Sequence, residues 1–189
     1  MKKLLLYLLI GTCLVSCRED EVVVPTEYEI IPEEVKPGQK IIGMYLLNEG
    51  NMGSNKSTLD YVDFSQGYYV RNLYAERNPH VIKELGDVGN DIQIYGSRIY
   101  AVINCSNKIE VLDARTAHRI GQVNIPNVRY VRFHKGYAYA TSYVGPVQLN
   151  NPDAVQGAVY KIDTLSLKPV AKCTVGFQPD ELCVLGQYI

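Results

Sequence analysis

A short motif ending in aspartate recurs along this chain at a fixed interval of 50 residues. Its copies are Tyr61-Val62-Asp63, Val111-Leu112-Asp113 and Lys161-Ile162-Asp163. The second and third copies match over a much longer stretch, because "IEVLDARTAHRIGQVNIP" from Ile109 aligns without a gap with "VYKIDTLSLKPVAKCTVG" from Val159. In-step repetition at this interval indicates similar supersecondary units that pack on one another.

Each repeat divides into four short segments of strand character, separated by turn residues. A tight turn is predicted at Gly96-Ser97, and the carboxylate of Asp113 can accept backbone N–H groups in a later turn. Four antiparallel strands every ~40–50 residues are typical of a β-propeller blade. A β-sandwich is the alternative, but it does not predict repetition in step. In the second copy the predicted strands are about Asp91–Tyr95, Arg98–Ile103, Lys108–Asp113 and His118–Ile125.

The last residues of the chain begin the same pattern once more. "DELCVLGQYI" aligns with "NDIQIYGSRI", which places Gly186 on Gly96 and Ile189 on Ile99. This stretch is predicted to form the first strand, the turn and the first step of the second strand of another blade. The fold class is therefore an all-β β-propeller, with about three four-stranded blades plus the start of a further one in residues 41–189. Closed propellers have about four to eight blades, so we interpret this domain as incomplete.

The N-terminus has the pattern of a lipoprotein signal peptide over residues 1–16. Lys2-Lys3 forms a basic region, and the apolar stretch Leu4–Leu14 is too short to span a bilayer as a stable helix. The sequence Leu14-Val15-Ser16-Cys17 resembles a bacterial lipobox, which predicts that Cys17 carries the lipid. An ordinary signal peptide that happens to contain cysteine is the alternative.

Residues 17–40 are predicted to form a flexible acidic tether. They contain Pro25, Pro32 and Pro37 and no strand-length alternation of apolar and polar residues. The acidic run Glu19-Asp20-Glu21 resembles the export signal of surface lipoproteins in Bacteroidota, which implies an outer-membrane, surface-exposed location. A solvated acidic linker is the alternative interpretation.

Composition argues against several classes of function. The chain has 19 basic and 20 acidic residues, so no nucleic-acid-binding excess of positive charge stands out. The cysteines left after Cys13 and Cys17 are Cys105, Cys173 and Cys183, and their wide spacing predicts no metal site and leaves their pairing open. No nucleophile motif or phosphate-binding loop is present. We therefore expect neither an enzyme nor a bound cofactor.

The residues of the repeat carry a family resemblance. "YLLNEGNMGSNKSTLDYVD" and "LGDVGNDIQIYGSRIYAVINCSNKIEVLDA" resemble YncE-like propellers of Bacteroidota surface lipoproteins, and among them the BtuG-type cobalamin-binding surface lipoproteins. The resemblance extends from Ile41 to Ile189. It implies a seven-bladed propeller that captures cobalamin (vitamin B12) outside the cell and passes it to a TonB-dependent outer-membrane transporter. A surface adhesion or scaffold propeller that binds protein or glycan, or a truncated product without function, are the alternatives.

Candidate ligand-binding residues lie in the loops between second and third strands, which strand alternation places on one face. These loops are Asn48–Ser57, Asn104–Asn107 and Ser142–Gly157, and the third carries an insertion of 11 residues relative to the second copy. Amide and tyrosine side chains offer hydrogen bonds and aromatic surface to a large amide-bearing ligand such as a corrinoid. The alternative is that they are ordinary turn residues. The candidates are Asn48, Asn51, Asn104, Asn107, Tyr143, Gln148, Asn150 and Asn151.

Overall fold

The computed structural model describes residues 24–30, 41–81, 84–146, 151 and 153–189. Within these ranges twelve strands and one short helix form an all-β structure of three four-stranded antiparallel sheets. The signal peptide, Cys17, most of the predicted tether, Gln148 and Asn150 lie outside the described residues. The elements are β1 (Glu27–Ile30), β2 (Gly43–Asn48), β3 (Thr58–Asp63), β4 (Tyr68–Arg71), α1 (Leu73–Arg77), β5 (Gly89–Tyr95), β6 (Arg98–Ile103), β7 (Lys108–Asp113), β8 (Arg119–Asn124), β9 (Val128–His134), β10 (Tyr137–Ser142), β11 (Ala158–Asp163) and β12 (Lys168–Thr174).

The second and third sheets are built alike, with their strands in chain order. The second sheet has the order β5-β6-β7-β8, and the third runs from β9 through β10 and β11 to β12. The predicted strand bounds are confirmed within two residues in the second sheet. Gly96 has a φ of 61° in the turn between β5 and β6, a left-handed conformation that glycine adopts without strain.

The first sheet has the order β1-β4-β3-β2, so β1, which comes from the predicted tether, lies at one edge of the sheet. The prediction of a flexible tether is wrong for Glu27–Ile30, which pair antiparallel with β4. Arg71 binds two carboxylates of this strand, that of Glu29 at 2.7 Å, and the Tyr28 hydroxyl donates to Glu76. A strand of four residues is too short to show a pattern of alternation. Its partners also lie more than 40 residues away in sequence, so no local signal indicates the pairing.

The three sheets stack face to face, and the second sheet lies between the other two. Side chains of β6 alternate between two cores: Ile99, Ala101 and Ile103 pack with Leu59 of the first sheet. Tyr100 and Val102 lie in the other core, which contains Val128, Val131, Ala138, Ala140 and Ile162 of the third sheet. The second sheet is therefore buried on both faces, and burial of apolar surface there is the main source of stability.

The repeated aspartate closes the same turn in all three sheets. Oδ1 of Asp63, Asp113 and Asp163 accepts backbone N–H bonds from the residues two and three positions later. The same oxygen accepts a hydroxyl, from Ser65, Thr116 or Ser166 respectively. The turn predicted for Asp113 is confirmed, and its geometry explains why aspartate recurs at this position.

The turn predicts a pH-dependent contribution to stability. Backbone N–H groups, first that of Ser166, lower the pKa of Asp163 below its ordinary value of 3.8. A lowered pKa means that the contribution is complete above that ordinary value and is lost as the pH falls through the lower value of the folded state. We expect Asp163→Ala to melt below the wild type at about pH 7, with a gap that narrows below about pH 4.

Thermal unfolding followed by circular dichroism measures this gap. Asp163→Asn is the matched control, because its amide oxygen can still accept the turn N–H bonds. The control should melt closer to the wild type than Asp163→Ala does. A gap between Asp163→Ala and wild type that does not change between neutral and acidic pH would contradict this explanation.

The last residues follow the repeat only in part. The predicted turn is present, with Gly186 at a φ of 62° and paired hydrogen bonds of 2.9 Å between Leu185 and Tyr188. The predicted first strand is not formed within Glu181–Leu185, where the structure has a single bridge.

Candidate ligand-binding site

The loop between β2 and β3 contacts the loop between β6 and β7 through Asp87. The carboxylate of Asp87 accepts the N–H groups of Gly53 at 2.8 Å and Asn55 at 3.3 Å. The backbone carbonyl of Asp87 accepts the N–H of Cys105 at 3.1 Å. Asp87 lies in the connection between the first and second sheets, so this connection reaches the same end of the stack as the two loops.

Asn127 joins the second of these loops to the loop between β10 and β11. Its N–H donates to Oδ1 of Asn107 at 2.7 Å, and its Nδ2 donates to the carbonyl of Gly145 at 2.8 Å. Its carbonyl accepts the N–H of Tyr143 at 3.1 Å. The described parts of all three loops therefore lie at one end, which we call the loop end, as strand alternation predicts. Neither Asp87 nor Asn127 was among the candidate residues, although both lie in connections between sheets.

Three of the candidate asparagines have partners within the fold. Nδ2 of Asn48 donates to Asp60 at 2.6 Å, and Nδ2 of Asn104 donates to the carbonyl of Val128 at 2.8 Å. Asn107 accepts the N–H of Asn127, as described above. These three amides therefore bind groups of the protein itself. Asn51 is exposed at the loop end, and its carbonyl accepts the N–H of Ser54 at 2.9 Å.

Tyr143 and Asn151 meet in a small cavity of about 150 Å³ at the loop end. Phe177 and Gln178, which follow β12, close its other side. Oδ1 of Asn151 accepts the N–H of Asp153 at 2.9 Å. The cavity thus combines an aromatic wall with two amide side chains, and Phe177 and Gln178 lie outside the predicted loops.

Arg129 contacts Tyr143 of this cavity, and the sequence did not indicate it. Its guanidinium carbon lies 4.9 Å from the centroid of the Tyr143 ring, and its Nε donates to Oδ1 of Asp180 at 2.9 Å. The Tyr143 hydroxyl donates to the same carboxylate at 3.3 Å. Burial raises the pKa of Tyr143, and the positive charge of Arg129 opposes this shift. The neutral phenol therefore contacts both members of an ion pair.

Arg129 occupies a position that the repeat could have revealed. In the alignment it corresponds to Asn90 of the second sheet and Asp180 after the third. Nδ2 of Asn90 donates to the carbonyl of Arg129 at 2.5 Å, and Arg129 in turn contacts Asp180. Equivalent positions in successive repeats therefore touch one another.

The described residues hold neither a metal-binding group nor a disulfide bond. Among them no group of three His, Cys, Asp or Glu residues is placed to hold a metal ion. Cys105, Cys173 and Cys183 are free thiols, and burial raises the pKa of Cys105. Within the described part of the chain, no helix has the length and apolar character needed to cross a membrane.

Comparison with known proteins gives likeness of structure alone. No protein-family model and no curated protein matches the chain. Hydrazine synthase of Kuenenia stuttgartiensis matches 70% of this chain and 34% of its own, with 17% identity and a TM-score of 0.47. A europium-containing methanol dehydrogenase matches 78% of this chain and 27% of its own, with 12% identity and a TM-score of 0.50. The chain spans about a third and about a quarter of these two proteins, and at such identity the second match concerns the fold only.

Proposed function

We propose that residues 41–189 are part of a β-propeller in which the three sheets are blades. The 50-residue repeat and the face-to-face stacking of the sheets support this arrangement. The contacts from Asn90 to Arg129 and from Arg129 to Asp180 also support it, because blades related by rotation bring equivalent inner positions together near the axis.

The function that best fits this site is capture of a small ligand at the loop end. The observation that carries the proposal is the cavity between Tyr143 and Phe177, with Asn151 and Gln178 at its rim. Aromatic walls with a few placed polar groups are typical of small-molecule sites. The volume of about 150 Å³ admits part of a large ligand, with the remainder lying over the neighbouring loops.

The family resemblance makes cobalamin the proposed ligand. Its amide groups suit the side chains of Asn151 and Gln178, and its apolar ring faces suit the tyrosine. The protein would be anchored through lipidated Cys17 at the cell surface and would hand the ligand to a TonB-dependent transporter. These parts of the proposal rest on the sequence pattern and the resemblance.

Isothermal titration of cyanocobalamin into the chain from Cys17 onward tests the proposal. We expect saturable binding to the wild type and an affinity lower by about fivefold to tenfold in Tyr143→Ala, since a stacked aromatic contact contributes about 1 kcal/mol. Tyr137→Ala is the control. Tyr137 lies at the first residue of β10, whereas Tyr143 follows the last, so the two tyrosines lie at opposite ends of this strand. No saturable binding, or an equal loss in both variants, would contradict the proposal.

A further inference from the structure

A larger cavity, of about 470 Å³, lies between the first and second sheets at the end opposite to the loop end. It opens beside the aspartate turns, because Asp63 and Thr116 of those turns form part of its wall. Its volume falls within the range of about 300–1,000 Å³ found for small-molecule sites. We call it the turn-end cavity. Its remaining wall is rich in tyrosine and basic side chains, namely Tyr28, Tyr45, Tyr61, Tyr68, Arg77, Arg115 and His118.

Two tyrosines give the turn-end cavity a fixed aromatic wall. The rings of Tyr45 and Tyr61 lie 4.8 Å apart between centroids at an interplanar angle of 44°. The Tyr45 hydroxyl donates to the carbonyl of Ala114 at 3.1 Å, which fixes that ring against the second sheet. Burial raises the pKa of Tyr45 to about 12 and also raises that of Tyr61, so both rings are neutral at physiological pH. A third ring, that of Tyr68, is 42% exposed at the opening.

Three basic side chains and one carboxylate belong to the wall of the cavity. Arg115 is exposed, and its guanidinium forms no ion pair with another described residue. Arg77 has a loose ion pair with its neighbour Glu76, at 3.6 Å. His118 adds a third basic side chain. The acidic group in the wall is Asp63, whose Oδ1 is already occupied by three hydrogen bonds within its turn.

We propose that the turn-end cavity binds a small aromatic carboxylate. The aromatic ring would pack against Tyr61 and Tyr68, whose faces and edges suit tilted or offset aromatic contacts. The carboxylate would accept paired N–H bonds from the guanidinium of Arg115, the geometry in which arginine binds carboxylates most strongly. This site is separate from the loop end, so the inference does not depend on the function proposed there.

Titration calorimetry with naphthalene-2-carboxylate as the probe tests this site on the chain from Cys17 onward. We expect one saturable site in the wild type and an affinity at least about tenfold lower in Arg115→Gln, because a charge-assisted pair is lost. The neutral probe 2-naphthalenemethanol should bind the wild type more weakly than the carboxylate does. Arg115 is exposed in a turn, so the variant should keep the melting temperature of the wild type.

The repeat supplies a matched control. Lys168 occupies in the third sheet the position that His118 has in the second, it is exposed, and it is not part of the cavity wall. Lys168→Gln removes one positive charge, as Arg115→Gln does, and should bind the probe like the wild type. Absence of saturable binding, equal losses in the two variants, or equal binding of the neutral probe would each overturn the proposal.

Discussion

Replacing Ile109 with alanine should lower the free energy of unfolding by about 2–5 kcal/mol. Ile109 of β7 is fully buried and belongs to the core between the second and third sheets. The core there also contains Val123 of β8 and Val131 of β9, so the lost methylene and methyl groups leave a cavity lined by two sheets. Close-packed interiors collapse only partly around such a cavity, which adds to the lost transfer free energy.

Urea denaturation followed by far-ultraviolet circular dichroism measures the effect. Ile94→Ala is the matched control, because Ile94 lies on β5 of the same sheet but is 58% exposed. Its effect should remain within about 0.5 kcal/mol of zero. Similar losses in the two variants would show that the second and third sheets do not share the core described above.

Replacing Arg119 with leucine should cost about 3 kcal/mol, the second large effect. Glu110 of β7 is fully buried, and its carboxylate accepts from Nζ of Lys108 at 2.7 Å and from Nε of Arg119. Removal of the arginine leaves a buried carboxylate with one cationic partner instead of two. A buried charge that loses a partner keeps its desolvation penalty. Removing one partner therefore costs more free energy than the intact pair contributes to stability.

The double variant Glu110→Leu/Arg119→Leu tests this reasoning. It should be more stable than Arg119→Leu alone, because the fully buried carboxylate is removed, and the Lys108 ammonium that loses its partner is itself only partly buried. Arg115→Leu is the control, since Arg115 is exposed and lies in the neighbouring turn. A double variant less stable than Arg119→Leu would contradict this explanation. It would show that the uncompensated carboxylate is not what lowers the stability of Arg119→Leu.

Local chemistry made much of the fold predictable. The bounds of β5–β8 follow from short alternating segments between turn residues, and the turn at Asp113 follows from a carboxylate placed to accept N–H groups two and three residues later. Both signals lie within a few residues of the structure that they determine. The 50-residue interval then extends the prediction to the third sheet.

The features that the sequence did not predict depend on distant partners. Strand β1 is held by Arg71, and its place at the outer edge of the first sheet has no local signal. The asparagine candidates show the same limit, because composition does not distinguish Asn104, which binds the carbonyl of Val128, from an amide directed to solvent. Arg129 was missed, although the alignment shows that it is equivalent to Asn90 and Asp180. The contacts among these three residues form only when the sheets stack.

Hydrogen exchange of individual backbone amides, followed by nuclear magnetic resonance, tests most directly whether the sheets stack with the second in the middle. The amides of β6 and β7 should exchange slowest, because both faces of these strands are buried and their exchange requires global unfolding. The amides of β12, an edge strand whose residues are all exposed, should exchange faster through local opening. Equal protection of β12 and β6 would contradict the stacked arrangement.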